Sequence, residues 1–324
     1  MQLVTPQRIY LLVVVASVAV SAFTLASLFG RHSYLELATH FRLQYALVAS
    51  ACVLLLIVFR SWKLLPLVLC CAAFNWSSVL PYYSAAPRPP TRPAALQLKL
   101  MLANVLGSNR DYAALTSVVA ESGPDIIVLQ EFTEAWEEHL RPLHARYPYS
   151  KAAPRPGGSG MALFSRHPLE AAEVLNLDSS THIAILARVN VEGVSLSVLA
   201  MHPPTPMRPE KFAKRNEQFA RAAAIMRETG GPKLLIGDLN TTMWSPYFAE
   251  LVRAGGLADA RRGFGLSPSW PVPLPAPLQI PIDHCLVGGG VAVEGVRTGG
   301  PTGSDHRPLL VDVRFERPDA RASR

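Results

Sequence analysis

The chain has 324 residues, of which 49% are hydrophobic and 17% charged, with a mean hydropathy of +0.20. That apolar content excludes intrinsic disorder, and four cysteines, three of them inside apolar runs (Cys52, Cys70, Cys71), exclude a disulfide scaffold. The formal charge of +7 is uneven: residues 1–93 hold seven Lys/Arg against the single acid Glu36, while 94–324 hold 24 against 23, so the basic excess flanks apolar segments and is not a nucleic-acid footprint.

Three apolar runs open the chain. Ile9–Gly30 is 22 residues without a charge, roughly 33 Å as a helix, enough to cross a hydrocarbon core of about 30 Å. Leu43–Phe59 and Leu64–Leu80 are shorter and carry interfacial aromatics: Tyr45 and Trp62 for one, Trp76, Tyr82 and Tyr83 for the other. Residues 1–80 are therefore predicted to hold three transmembrane helices, at about 9–30, 43–59 and 64–80. A signal peptide is a poor fit, because the first apolar core is too long and two more runs follow. Arg8, Arg60 and Lys63 on one side, against Arg31 and Arg42 with Glu36 on the other, predict a cytoplasmic N-terminus. Three spans then place the rest outside the cytoplasm, on a multi-pass protein of the cell inner (plasma) membrane. Five prolines in 81–93 predict an extended spacer over 81–95.

From 96 to 317 short apolar runs alternate with helical stretches, which predicts an α/β domain; 318–324 is read as a disordered tail. Strands are expected at Leu98–Val105, Asp125–Gln130, Gly160–Ser165, His182–Val191, Val194–His202, Lys233–Gly237, Ile282–Val287 and Leu309–Phe315. Helices are expected at Asp111–Glu121, ended by Gly123-Pro124, at Pro209–Thr229, and at Pro246–Ala254.

Polar residues close these apolar runs: Asn104 after LMLA, Gln130-Glu131 after IIVL, His202 after VLAM, Asp238 and Asn240 in LLIGDLN, Asp283 in IPIDH, and Asp305-His306 in SDHRP. Taken singly, an Asn or Asp after a strand is a turn or cap residue. Six such endings in one domain gather at one rim of a sheet, where sites are built. Hard oxygen ligands with few thiols select Mg²⁺ or Mn²⁺. Neither H-E-x-x-H nor paired C-x-x-C occurs, which argues against zinc, and G-x-S-x-G, Walker A and G-x-G-x-x-G are also missing.

The ordered set N…QE…H…GDLN…IDH…SDHRP resembles the endonuclease/exonuclease/phosphatase superfamily, which includes abasic-site endonucleases, pancreatic deoxyribonuclease, neutral sphingomyelinases and inositol-polyphosphate 5-phosphatases. The resemblance spans about 97–316, and the leading helices look like a bacterial membrane-anchored branch of it. It implies a four-layer α/β sandwich, two mixed β-sheets flanked by helices, and metal-dependent phosphoester hydrolysis. Carried over by residue, Glu131 matches the principal Mg²⁺ ligand, Asn104 the residue beside it that helps hold metal or phosphate, and Asp305 a second metal ligand. Asp238 orients or deprotonates the attacking water. Asn240 matches the amide that contacts the phosphate. His306 is the terminal histidine, oriented by Asp283, and His202 contacts phosphate or protonates the leaving oxygen.

Weaker features complete the reading. Gly157–Gly160 is a flexible loop or a phosphate nest. Arg166 is read as a surface charge or a phosphate contact. Trp270 lies in Pro268–Pro281, which holds six prolines; it either packs beneath a rigid loop or forms an apolar lip that binds substrate. Function is expected to be a membrane-anchored, Mg²⁺-dependent phosphodiesterase or phosphatase on lipid or lipid-linked substrates. An extracytoplasmic endonuclease or exonuclease is the alternative, with a non-catalytic membrane scaffold behind it. No obligate protein partner is readable.

Overall fold

The computed structural model describes residues 5–84 and 95–317. Helix α1 (Pro6–Ala26) opens with proline in its first turn, where the missing N–H costs nothing. Helix α2 (Ser33–Glu36) and a 3₁₀ turn (Leu37–Phe41) follow, then α3 (Arg42–Val58), α4 (Leu65–Val79) and a short turn Leu80–Tyr82. Three stretches, Pro6–Phe29, Ser33–Val58 and Leu65–Tyr82, are long and apolar enough to cross a membrane. Their outward faces carry exposed Leu11, Leu12, Leu54, Val58 and Leu69. Their inward faces hold small and polar residues: Asn75 donates to Thr24 Oγ1 at 3.0 Å and accepts from Arg42 at 3.2 Å.

The second part is built from β1 (Ala95–Asn104), α5 (Tyr112–Ser122), β2 (Ile126–Gln130), α6 (Glu134–His139), β3 (Tyr149–Ala153), β4 (Met161–Ser165), β5 (Leu169–Leu175), β6 (Ala184–Val191), β7 (Val194–Met201), α7 (Pro209–Glu228), β8 (Lys233–Asp238), α8 (Pro246–Ala254), β9 (Ala258–Asp259), β10 (Asp283–Gly288), β11 (Ala292–Thr298) and β12 (Leu309–Glu316). Two mixed six-stranded sheets form, in the orders β11-β12-β1-β2-β4-β3 and β5-β6-β7-β8-β10-β9. They pack face to face through Leu100, Leu102, Val128, Ile185, Val198, Ile236 and Val311. Helices α5 and α6 cover the first sheet through Leu115, Val119 and Trp136. Helices α7 and α8 cover the second through Phe219, Met226, Phe248 and Leu251. This is the four-layer α/β sandwich expected from the sequence. Sequence patterning missed β3, β5 and β11 because they are half-exposed strands without an apolar run. Of the expected proline spacer, 85–94 lies outside the described residues, as does the tail 318–324.

Strand pairing places the chemistry. Strands β1 and β2 are parallel with Asn104 opposite Gln130, and β8 and β10 are antiparallel with Asp238 opposite Asp283. The polar strand ends of both sheets therefore meet at one rim. The segment before α3 also reaches this domain. Glu36 and Arg215, both fully buried, pair at 2.5 Å, and Ser245 donates a short hydrogen bond to Glu36.

Candidate active site

Glu131 follows β2 in the left-handed region at φ 58°, a conformation non-glycine residues seldom adopt outside constrained sites. Its carboxylate accepts from Asn104 Nδ2 at 3.1 Å and from the Gly107 N–H at 3.1 Å. Asn104 Nδ2 also faces Asp238 Oδ2 at 3.3 Å, while its Oδ1 accepts the Leu106 N–H at 3.1 Å. Asn104, expected as a metal ligand, thus bridges the two carboxylates through its N–H₂ group. Gly158, at φ 81°, leaves room beside Glu131: a Cβ there would stand 3.5 Å from Oε2. The glycine loop before β4 borders the site in this way.

Asp238 ends β8. Its Oδ2 lies 3.4 Å from His202 Nε2 and 3.6 Å from His306 Nε2, and its Oδ1 accepts the Asn240 N–H at 2.9 Å. Gln130 fixes this end of the strand by accepting the Asp238 N–H at 2.8 Å and donating to Met201 O at 2.8 Å. Asn240 is left-handed at φ 51° and donates its amide to Pro203 O at 3.0 Å.

His306 Nδ1 meets Asp283 Oδ2 at 2.9 Å, with both side chains buried. Burial by itself lowers the proton affinity of His306, but the charges of Asp283 and Asp238 outweigh it and push its pKa up to about 10. Burial opposes the Asp238 charge, yet the two imidazoles hold that carboxyl down at about 2. For His202, burial is again outweighed, here by the hydrogen bond and charge of Asp238, and its pKa rises.

The remaining expected residues divide. Asp305 Oδ2 accepts from Trp270 Nε1 at 3.0 Å, and the Trp270 ring lies 6.4 Å from the His306 ring, so the proline-rich segment forms a lip on the site. Arg166 does not join them. It pairs with Asp125 at 3.4 Å, at the opposite end of β2 from Glu131, and stacks over Tyr147. Strand direction thus places Arg166 away from the strand end that leads into Glu131. Sequence reasoning missed His182, which lines the cavity. Its Nδ1 is 3.0 Å from His202 O, and burial with the neighbouring His202 brings its pKa down to about 4. It also missed Leu37, His40 and Phe41, which carry no motif yet line the same cavity of about 980 Å³.

A divalent cation fits this rim. Glu131, Asp238 and Asp305 line the cavity with carboxylates, which are hard oxygen donors. Asp238, Asp283 and His306 have ligand atoms within 4.8 Å of one another, but His306 Nδ1 is committed to Asp283. Glu131, with open space over Gly158, is the better placed donor.

Fold and site together define a metal-dependent phosphoric ester hydrolase. The chain belongs to the endonuclease/exonuclease/phosphatase family, whose model matches residues 101–306. No curated protein matches the sequence. Among solved structures it is similar to an endonuclease/exonuclease/phosphatase from Beutenbergia cavernae (20% identity, 68% of this chain and 72% of that one, TM-score 0.57). It is similar to D. rerio TDP2 complexed with single strand DNA product (17%, 67% and 98%, TM-score 0.56). It is also similar to sphingomyelinase C from Streptomyces griseocarneus (19%, 67% and 99%, TM-score 0.52).

Proposed function

We propose that the chain is a membrane-anchored, Mg²⁺- or Mn²⁺-dependent phosphodiesterase or phosphatase that hydrolyses lipid or lipid-linked phosphoesters outside the cytoplasm. Residues 1–80 form the anchor, 81–95 the spacer and 96–317 the catalytic domain. The observation that carries the lipid reading is the cavity wall: Leu37 and Phe41, from the segment joining two apolar helices, line the cavity that also holds Glu131, Asp238 and His306. The proline-rich lip is tied to the start of α3, where Gln44 donates to Pro277 O at 2.9 Å and to Gln279 O at 3.1 Å. Leu274 and Leu278 on that lip are exposed. A cleft with one polar and one apolar wall beside a membrane helix suits an amphiphile.

Glu131 would hold the cation, which would supply positive charge to offset the negative charge on the phosphoryl group. Asp238, ionised between two imidazoles, orients the attacking water and accepts its proton. His306, kept cationic by Asp283, faces the charge that builds on the phosphoryl group. His202 is placed to protonate the leaving oxygen. Asn240 fixes the turn that presents Asp238.

Arg110 and Lys211 line the cavity as well and favour a second reading, a nuclease. The test is a screen of the full chain in detergent or nanodiscs against sphingomyelin, phosphoinositides, other phospholipids, DNA and RNA, with Mg²⁺, Mn²⁺ or EDTA. Metal-dependent lipid turnover is expected. Nucleic-acid cleavage without lipid turnover would replace the first reading by the second.

A further inference from the structure

The family match covers 101–306, but the turn that carries Asp238 and Asn240 is held from outside that span. Thr242 donates its backbone N–H to His40 Nδ1 at 3.4 Å, and its Oγ1 lies 3.1 Å from the same nitrogen. On the other side of the turn, His284 Nε2 contacts Thr241 O at 2.8 Å. The 238–242 turn therefore sits between two histidines, one from β10 and one from the segment between the first two long helices.

That segment is firmly docked. Glu36 is sealed between Arg215 and Ser245, and Ser245 also caps α8 through the Tyr247 N–H at 3.2 Å. The Tyr247 hydroxyl donates to Arg31 O at 2.9 Å, and Thr39 Oγ1 donates to Glu36 O at 2.7 Å. His40 is thereby presented to Thr242 by a rigid turn. Packing alone does not account for an imidazole there: its Nε2 is buried with no protein partner among the described residues. A leucine would fill the space without that unpaired group. What only the histidine supplies is the acceptor Nδ1.

We infer that His40 is a positioning residue for the reaction, clamping the Asp238–Thr242 turn from the membrane hairpin. The catalytic constellation is then completed by residues outside the family domain. This goes beyond the hydrolase reading and rests on it for its kinetic arm alone. Asp238 must lie within a few tenths of an ångström of its working place, and misplacement by about 1 Å costs on the order of 10²-fold in rate. A relaxed turn lowers kcat while the substrate cleft, and so KM, is largely kept.

The test uses the full chain in nanodiscs with three variants. His40→Leu keeps bulk and removes the acceptor. His40→Asn returns an acceptor oxygen near the Nδ1 position. Thr242→Val removes a single hydroxyl and answers the same question should His40→Leu not fold. Two quantities are read: steady-state hydrolysis of bis(p-nitrophenyl) phosphate with Mn²⁺, and hydrogen exchange of the 238–243 amides. His40→Leu is expected to lower kcat about tenfold or more with KM within about twofold, and to speed exchange of that segment. His40→Asn is expected to recover most of both. A His40→Leu chain with parental kcat and parental exchange would overturn the inference, as would equal losses in the Leu and Asn variants. Exchange does not depend on turnover. A parent inactive on every phosphoester would sink the proposed function and leave exchange to decide on His40.

Discussion

The His306 imidazole and the Asp283 carboxylate meet at 2.9 Å although 23 residues separate them, because β10 and the turn before β12 end at the same rim. Asp283 Oδ1 is buried with no hydrogen-bond partner among the described residues, so the hydrogen bond of this carboxylate there is the one from Oδ2 to the ring. The second ring nitrogen stands 3.6 Å from Asp238. The order is Asp283, His306, Asp238, a line of alternating charge that keeps the ring protonated on both nitrogens and fixes its orientation.

His306→Ala is expected to lower kcat by about 10²–10⁴-fold with a smaller effect on KM. Asp283→Asn is expected to reproduce much of that loss, and the double variant to be little worse than His306→Ala, since the two act as a unit. Steady-state kinetics on the three variants checks this. Fully additive losses would break the pair apart.

Glu131→Gln keeps size and removes charge. Hydrolysis is expected to fall by orders of magnitude and to be rescued only partly by excess metal, while EDTA abolishes the parent's activity. Metal titrations of rate for the parent and variant measure it. Parental rates at low Mg²⁺ would remove Glu131 as the ligand.

The His306 pKa gives a signed prediction for stability. The ordinary histidine value is 6.5 and the folded value is pushed up to about 10. Between them the folded chain holds a proton that the unfolded chain has released. The contribution is complete below 6.5 and disappears as pH rises through 10. In EDTA, the melting temperature should fall between pH 7 and pH 10 more steeply in the parent than in His306→Gln. Equal slopes would contradict the charged imidazole. Asp238 acts in the opposite sense: its contribution is present above its ordinary value of 3.8 and is lost as pH falls through about 2.

Glu36→Gln leaves the Arg215 charge buried without its counterion. Removing one member of a buried pair costs about 3–5 kcal/mol, so the full chain should melt at a markedly lower temperature. Replacing both, as Glu36→Leu with Arg215→Met, should recover much of the loss. A double variant no better than the single would assign the cost to lost packing of Arg215 on Phe212 and Phe219, whose rings lie 5.4 and 5.1 Å from its guanidinium.

The proposed topology, three spans from a cytoplasmic N-terminus, predicts that a reporter fused after Arg317 is active only in a form that works outside the cytoplasm. Activity of a cytoplasm-only reporter at that position would reverse the orientation.

The sequence by itself determined what is local. Uninterrupted apolar runs made the three N-terminal helices, and runs such as IIVLQ and LLIG made central strands whose polar last residues had to appear at a sheet end. The ordered Asn104, Glu131, His202, Asp238, Asp283 and His306 could be read off because each directly follows or precedes such a run. Tertiary structure decided what depends on register and docking. The Asn104–Gln130 and Asp238–Asp283 pairings fixed which strand ends meet, and strand direction sent Arg166 to the far end. The docking of residues 31–42 onto α7 and α8 had no sequence signal. A lone Glu36 in a loop reads as a solvated charge. Only the opposing Arg215 and Ser245, about 180 and 210 residues away, make its burial affordable, because a carboxylate leaves water when its charge and hydrogen bonds are met inside.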